Sequence, residues 1–101
     1  MIIDGTIKAV VEQAASLTLV TVGKDGTPHP IIVGKGAVEG DNVIFGIYKM
    51  EQTQKNLLET DKLWMVAATM DGGPKGYRLS GTAKPNGEKL IFTAEKAEAL
   101  L

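Results

Sequence analysis

The stretch Lys49–Thr53 combines a cation with amide and hydroxyl donors at the predicted start of a helix. The apolar run Val43 to Tyr48 predicts a strand before it, and Glu51 to Thr60 predicts a helix after it. The first turn of a helix carries unpaired backbone N–H groups and roughly half a positive charge. This corner therefore predicts a phosphate site without a glycine-rich loop. Taken alone, the same residues are also explained by an ordinary helix start with a solvated lysine.

The residues that other kinds of catalytic, metal or nucleotide site require are absent from the sequence. There is no cysteine, which excludes thiolate nucleophiles and disulfides, and the single histidine, His29, cannot form a multi-histidine metal site. A Ser-His-Asp hydrolase would need His29 beside Ser16 or Ser80, and neither serine lies in a nucleophile elbow. The sequence has neither a Gly-x-Gly-x-x-Gly fingerprint nor a Gly-Lys-Ser/Thr phosphate loop. The strand-to-helix corner is thus the remaining candidate site.

Composition predicts one soluble domain spanning residues 1–101. Hydrophobic residues make up 44% and charged residues 23%, and the net charge of −1 gives no nucleic-acid footprint. A chain of this length buries only about 60 to 70% of its unfolded surface, so a second subunit or a cofactor would help to stabilise it. We find no signal peptide and no apolar run of ~18 residues, so we expect a cytoplasmic protein without nucleic-acid or membrane partners.

Periodicity places the supporting elements. Asp4 to Ala15 predicts a helix with Asp4 or Thr6 as its cap, and the runs 17–22 and 28–33 around Gly23-Lys24-Asp25-Gly26 predict a β-hairpin. A bend or bulge is expected at Ala37-Val38. Val43 to Tyr48 is apolar on both faces, which suits a barrel strand covered on its outside, and it should pair antiparallel with the preceding strand. The next helix should turn Leu57 and Leu58 inward.

The C-terminal half predicts further strands at Leu63–Thr69 and Gly76–Ala83, followed by a turn at Pro85-Asn86-Gly87. Leu90 to Phe92 predicts a short strand, and Thr93 could cap a final helix through Leu101. Short antiparallel strands with helices in two gaps predict a mainly β (α+β) fold, a small barrel with two or three helices.

Four pieces, in order and spacing, carry a family resemblance. They are the hairpin with Thr27-Pro28-His29-Pro30, the strand Val43 to Tyr48, the helix segment Met50 to Leu57, and Leu79-Ser80-Gly81-Thr82-Ala83. Over residues 17 to 83 the chain resembles the pyridoxamine-5′-phosphate-oxidase-like, FMN-binding split-barrel family. The resemblance implies a small antiparallel split β-barrel, FMN as cofactor, and a homodimer with flavin at the interface.

The resemblance also implies roles for particular residues. The strand from Pro30 to Gly34 would run along the flavin ring, and the corner after Val43 to Tyr48 would surround the phosphate. Asn56 and Leu57 match an Asn-Leu pair that holds the helix in place, and the Gly-x-Ala at Gly81 serves packing. The implied cofactor-binding residues are Pro30, Ile32, Val33, Gly34, Tyr48, Lys49, Met50, Gln52 and Thr53.

The implied function is a flavin redox protein, either an oxidoreductase or an electron carrier, with an unknown redox partner or small-molecule substrate. An oxidoreductase is the favoured interpretation, and no catalytic side chain is predicted. The alternative is a non-catalytic split barrel that binds another anionic ligand or acts as a subunit or sensor. It is motivated by Glu51 and Thr53, where many members carry a neutral residue and a lysine. Near a phosphate, Glu51 would have to point away or be neutralised by Lys49 or Lys55.

Overall fold

A seven-stranded antiparallel sheet and two helices make up the computed structural model, which describes residues 1–100. The strand order is β2-β1-β5-β6-β7-β4-β3, so β2 and β3 are the edges of the described sheet and leave the barrel split. In chain order the elements are α1 (Gly5–Gln13), β1 (Leu17–Val22), β2 (Pro28–Val33), β3 (Ala37–Glu39), β4 (Asn42–Gly46), α2 (Glu51–Glu59), β5 (Lys62–Thr69), β6 (Lys75–Asn86) and β7 (Lys89–Ala99).

The predicted hairpin is confirmed. β1 and β2 pair from Leu17 with Val33 to Val22 with Pro28. In the turn, Asp25 Oδ1 accepts a hydrogen bond from the Thr27 N–H at 3.0 Å, and this bond lowers the pKa of the exposed carboxyl. Asp25 is therefore a turn-forming residue, as its position in the sequence predicts.

Helix α1 lies over the interior of the sheet and is capped as predicted. Asp4 Oδ1 accepts from the Ile7 N–H at 2.9 Å, and Ile7, Val10 and Val11 are buried. The helix is slightly shorter than the predicted Asp4 to Ala15. Its buried stripe packs with the alternate inward residues of the strands in one core.

The strand predicted from Val43 to Tyr48 ends at Gly46. It pairs antiparallel with the preceding strand β3, as predicted, and with β7 on its other side. β3 is a short strand at the position where the sequence predicts a bend or bulge. Val43 and Phe45 are buried, whereas Ile44 is only half-buried, so a single chain covers one face of this strand. The prediction of burial on both faces was wrong for the isolated chain.

In α2 the inward face is formed by Thr53, Asn56 and Leu57. Leu58 is 87% exposed, so its predicted inward position was wrong. A residue directly after an inward one is turned by about a quarter of a circle around a helix, which places Leu58 on the solvent side.

The final helix was also wrongly predicted. Residues 89 to 99 form β7, which pairs with an extended β6 that continues through the predicted turn to Asn86. Leu90, Phe92 and Ala94 are buried at alternate positions, so tertiary burial overrides the helix preference of the Ala- and Glu-rich segment. Leu101 lies outside the described residues.

Candidate functional site

A cavity of about 320 Å³ lies between the edge strand β2 and the segment that leaves β4. Its lining is mainly apolar and continues from one end of the split sheet to the start of α2. The lining residues are Ile31, Ile32, Val33, Gly34, Gly46, Tyr48 and Met50. An apolar slot with polar groups at one end is the usual form of a small-molecule site.

The structure brings five of the nine predicted site residues to this cavity: Ile32, Val33, Gly34, Tyr48 and Met50. The other four, Pro30, Lys49, Gln52 and Thr53, do not line the cavity. In the sequence they lie close to residues that do. Two lining residues, Ile31 and Gly46, are not among the nine, although Ile31 belongs to the strand from Pro30 to Gly34 that was predicted to run along the ring. Gly46 ends β4, and a glycine within an apolar strand run, which often marks the close approach of a ligand, is the sequence signal that could have pointed to it.

The corner before α2 has an unusual backbone. Lys49 and Met50 adopt positive φ angles of 63° and 53°, a left-handed conformation that costs non-glycine residues roughly 1–2 kcal/mol each. Strained residues of this kind cluster at binding sites, where the surrounding structure holds them. Neither residue type signals such a conformation in the sequence.

The start of α2 is open, in contrast to the start of α1. Met50, in the N-cap position, supplies no side-chain hydrogen bond, and the first helical backbone bond runs from the Gln54 N–H to the Met50 carbonyl. In α1 the carboxylate of Asp4 already occupies the corresponding place. The free N–H groups of the first turn of α2 can therefore receive an anion.

Thr53 differs from its predicted role. Its side chain faces inward and is 1% exposed, and its Oγ1 has no hydrogen-bond partner among residues 1–100. A buried hydroxyl without a partner costs free energy. Since threonine in a helix occupies two χ1 rotamers, a rotation would be needed for Oγ1 to reach a ligand at the helix start.

Gln52 is engaged within the protein. Its Nε2 donates to Asn56 Oδ1 at 2.9 Å, and Asn56 Nδ2 donates to Thr21 Oγ1 at 3.0 Å. This chain of hydrogen bonds links α2 to β1, as expected for an asparagine that holds the helix in place. The amide of Gln52 is therefore already hydrogen-bonded within the protein in the absence of a ligand.

Charges at the corner are solvent-exposed. Lys49 Nζ lies 5.7 Å from the centre of the Tyr48 ring, within cation–π range. The ion pairs among residues 1–100 both involve Glu98, with Arg78 and with Lys96. Glu51 is exposed and therefore solvated, and within the same residues it forms no ion pair with Lys49 or Lys55.

Residues 1–100 contain neither a cluster of metal ligands nor a membrane-spanning helix. No group of three or more His, Cys, Asp or Glu side chains is placed to hold a metal ion. Neither described helix has the length and apolar character needed to cross a membrane.

Known structures share this fold. HupZ from Group A Streptococcus superposes with a TM-score of 0.82 at 18% identity, covering 99% of this chain and 94% of its own. An FMN-binding protein from Syntrophomonas wolfei gives a TM-score of 0.77 at 16% identity, covering 93% and 83%. HutZ from Vibrio cholerae, described as a heme storage protein, gives 0.68 at 11% identity, covering 98% and 95%.

At these identities the similarity shows the fold alone. No curated protein matches the sequence. The sequence model of the family described as pyridoxamine 5′-phosphate oxidase, however, matches residues 3–98, which is nearly the whole chain. The protein therefore belongs to the pyridoxamine 5′-phosphate oxidase family and has its split-barrel fold.

Proposed function

We propose that this protein binds FMN and acts in flavin redox chemistry, as an oxidoreductase or an electron carrier. The proposal rests mainly on one observation: the apolar cavity lies directly beside the uncapped N-terminus of α2. The cavity holds about 320 Å³, and its wall at Tyr48 and Met50 continues within one residue into α2. FMN consists of a flat ring and a phosphate joined by a short chain. The ring would suit the apolar cavity, and the phosphate would suit the start of α2.

The ring would lie against β2. This strand pairs with β1 on one side and has no strand on its other side among residues 1–100, so its outer N–H and C=O groups are free for a ligand. Ile31 to Gly34 present this free edge to the cavity. Backbone groups of this kind can bond the ring's nitrogen and oxygen atoms without any particular side chain.

The phosphate would lie at the start of α2. Backbone N–H groups of the first turn and the charge of Lys49 favour an anion there, and Thr53 offers a hydroxyl that lacks a partner. Glu51 is exposed at the same turn and opposes the binding of an anion, an effect that solvent screens.

When bound, FMN supplies the redox chemistry, because its ring accepts and donates electrons or a hydride. The residues of this chain bind and orient the ring and exclude water from one side of it. Of the seven lining residues, Tyr48 alone has a titratable side chain. The lining therefore favours redox chemistry at the ring over acid–base catalysis by the protein.

We propose further that the functional unit is a homodimer. Val20 pairs with both Pro30 and Trp64, so these three uncharged residues form one row on the outer face of β2, β1 and β5. The next row contains Ile32, which is 73% exposed. A second subunit on this face would also cover the open side of the cavity.

A second candidate function is a non-catalytic barrel that binds another anionic ligand, such as haem. Glu51 at the helix start and the absence of a lysine from the cavity lining favour it over FMN. HutZ, described as a heme storage protein, provides a precedent within the fold.

Equilibrium titration with FMN and with haemin separates the two candidates. We expect FMN to bind with quenching of its fluorescence, and the double variant Lys49→Ala/Thr53→Ala to bind it about tenfold or more weakly, because it loses a charge and a hydroxyl at the phosphate. Lys84→Ala is the control, since Lys84 is an exposed lysine of β6 that does not line the cavity. Binding of haemin without FMN would favour the second candidate and overturn the first.

A further inference from the structure

We propose that Thr21 and Asn56 are positioning residues that make the site selective for a phosphorylated ligand over its dephosphorylated form. The inference rests on the proposed function and deepens it. Neither residue lines the cavity. They would act by fixing the start of α2 relative to the strands that hold the ring.

The two residues form a buried polar connection. Thr21 is 1% exposed and Asn56 is 3% exposed, and both lie beside a largely apolar core in which Thr53 is also buried. Asn56 Nδ2 donates to Thr21 Oγ1 at 3.0 Å, and Asn56 Oδ1 accepts from Gln52 Nε2 at 2.9 Å. A buried polar network of this kind defines one geometry, because any displacement leaves one of its groups unpaired.

The connection joins the two ends of the cavity. Thr21 pairs with His29 of β2, the strand that continues into the cavity wall at Ile31. Asn56 lies on α2 and is tied to Gln52 in its first turn. A Cβ added at Gly23 would lie 3.4 Å from Asn56 Oδ1, so the hairpin turn also packs closely against this amide.

A change in this connection should affect the two parts of a ligand differently. The ring would be held by the edge of β2, which keeps its pairing with β1 in the absence of the Thr21 hydroxyl. The phosphate would be held by α2, which the Asn56–Thr21 bond ties to β1. Loss of that bond should therefore weaken binding of FMN and leave binding of riboflavin nearly unchanged.

The test compares the dissociation constants of FMN and riboflavin. We expect Thr21→Val to weaken FMN binding about tenfold, equivalent to about 1.4 kcal/mol, with riboflavin affinity unchanged within about twofold. The separate variant Thr21→Ser keeps the hydroxyl and should therefore retain the preference for FMN over riboflavin. Thr82→Val is the control, since Thr82 is a strand threonine outside the cavity lining.

The double variant Thr21→Val/Asn56→Leu separates positioning from stability. Replacing both partners with apolar groups of similar shape is close to neutral for folding, so this variant should recover the stability lost in Thr21→Val. A positioning role predicts that its preference for FMN stays lost. Recovery of that preference together with stability, or parallel losses of FMN and riboflavin binding, would overturn the inference. Failure of the wild-type protein to bind FMN would instead overturn the proposed function.

Discussion

Thr53 is subject to two opposing requirements. Its hydroxyl is buried and has no partner, which costs stability in the absence of a ligand. The same hydroxyl lies in the first turn of the helix whose start we assign to a phosphate. A group that is unfavourable for folding and useful for binding is typical of a functional site.

The variant Thr53→Val tests both requirements at once. Valine keeps the shape and removes the hydroxyl, so we expect the free energy of unfolding of the ligand-free protein to rise by about 1 kcal/mol, and FMN affinity to fall several-fold. Thermal or urea unfolding gives the first quantity, and titration gives the second. Thr82→Val should alter neither by a comparable amount. A loss of stability in Thr53→Val would contradict the assignment, because it would mean that the hydroxyl has a partner.

The sequence predicted which residues lie near the site better than it predicted the directions of their side chains. Five of the nine predicted residues line the cavity because the alternation of a strand and the position of a corner can be inferred from residue order. The inward rotation of Thr53 and the engagement of Gln52 by Asn56 depend on how α2 packs on β1. Those tertiary contacts are not contained in the local pattern.

At the scale of elements, the hairpin of β6 and β7 depends on Gly81. A register shift lies between Ser80 and Gly81, where β6 passes very close to β7. A Cβ at position 81 would overlap the carbonyl oxygen of Thr93, which belongs to the backbone and cannot rotate away. The packing role predicted for this glycine is therefore confirmed.

We expect Gly81→Ala to reduce the free energy of unfolding by about 3 kcal/mol or more, because the two strands must separate to admit the methyl group. Gly5→Ala is a suitable control. Nothing lies within 4 Å of a Cβ at Gly5, and alanine is favoured in a helix. Urea denaturation of both variants measures the difference. Equal stability of Gly81→Ala and the wild type would show that β6 and β7 do not approach as closely as described.

The local sequence pattern predicted some secondary-structure elements correctly and others wrongly. The hairpin β1–β2 followed from the Asp-Gly turn between a β-branched run and a second extended run, and its register is as expected for a short loop. The segment of β7 was misjudged because its Ala, Glu and Lys residues favour a helix when taken alone. The long partner strand β6 supplies the pairing that makes it a strand, and that partner is distant from any local window.

At the scale of the whole molecule, the outer face of β2, β1 and β5 is the main unexplained surface. Its central residues are uncharged and partly exposed, with Trp64 between Val20 and Ser80 in register. A large aromatic side chain in such a position is typical of an interface between subunits. A second copy of the chain would then cover this face.

We expect the wild-type protein to be a dimer and Trp64→Glu to be a monomer, because the variant would place an unpaired charge in the interface. Sedimentation equilibrium measures both masses. Lys84→Glu, which introduces the same side chain at an exposed position of β6, outside this face, should remain dimeric. A monomeric wild-type protein, or a dimer that tolerates Trp64→Glu, would contradict this arrangement.

We assign FMN to the cavity and the start of α2 together, and the identity of the bound ligand tests this assignment. The protein as purified, supplemented with FMN if it is colourless, is freed of excess ligand and its visible spectrum is recorded. The ligand released on denaturation is then weighed by mass spectrometry. We predict a flavin spectrum and the mass of FMN. A haem spectrum, or a protein that stays colourless after exposure to FMN, would contradict the account.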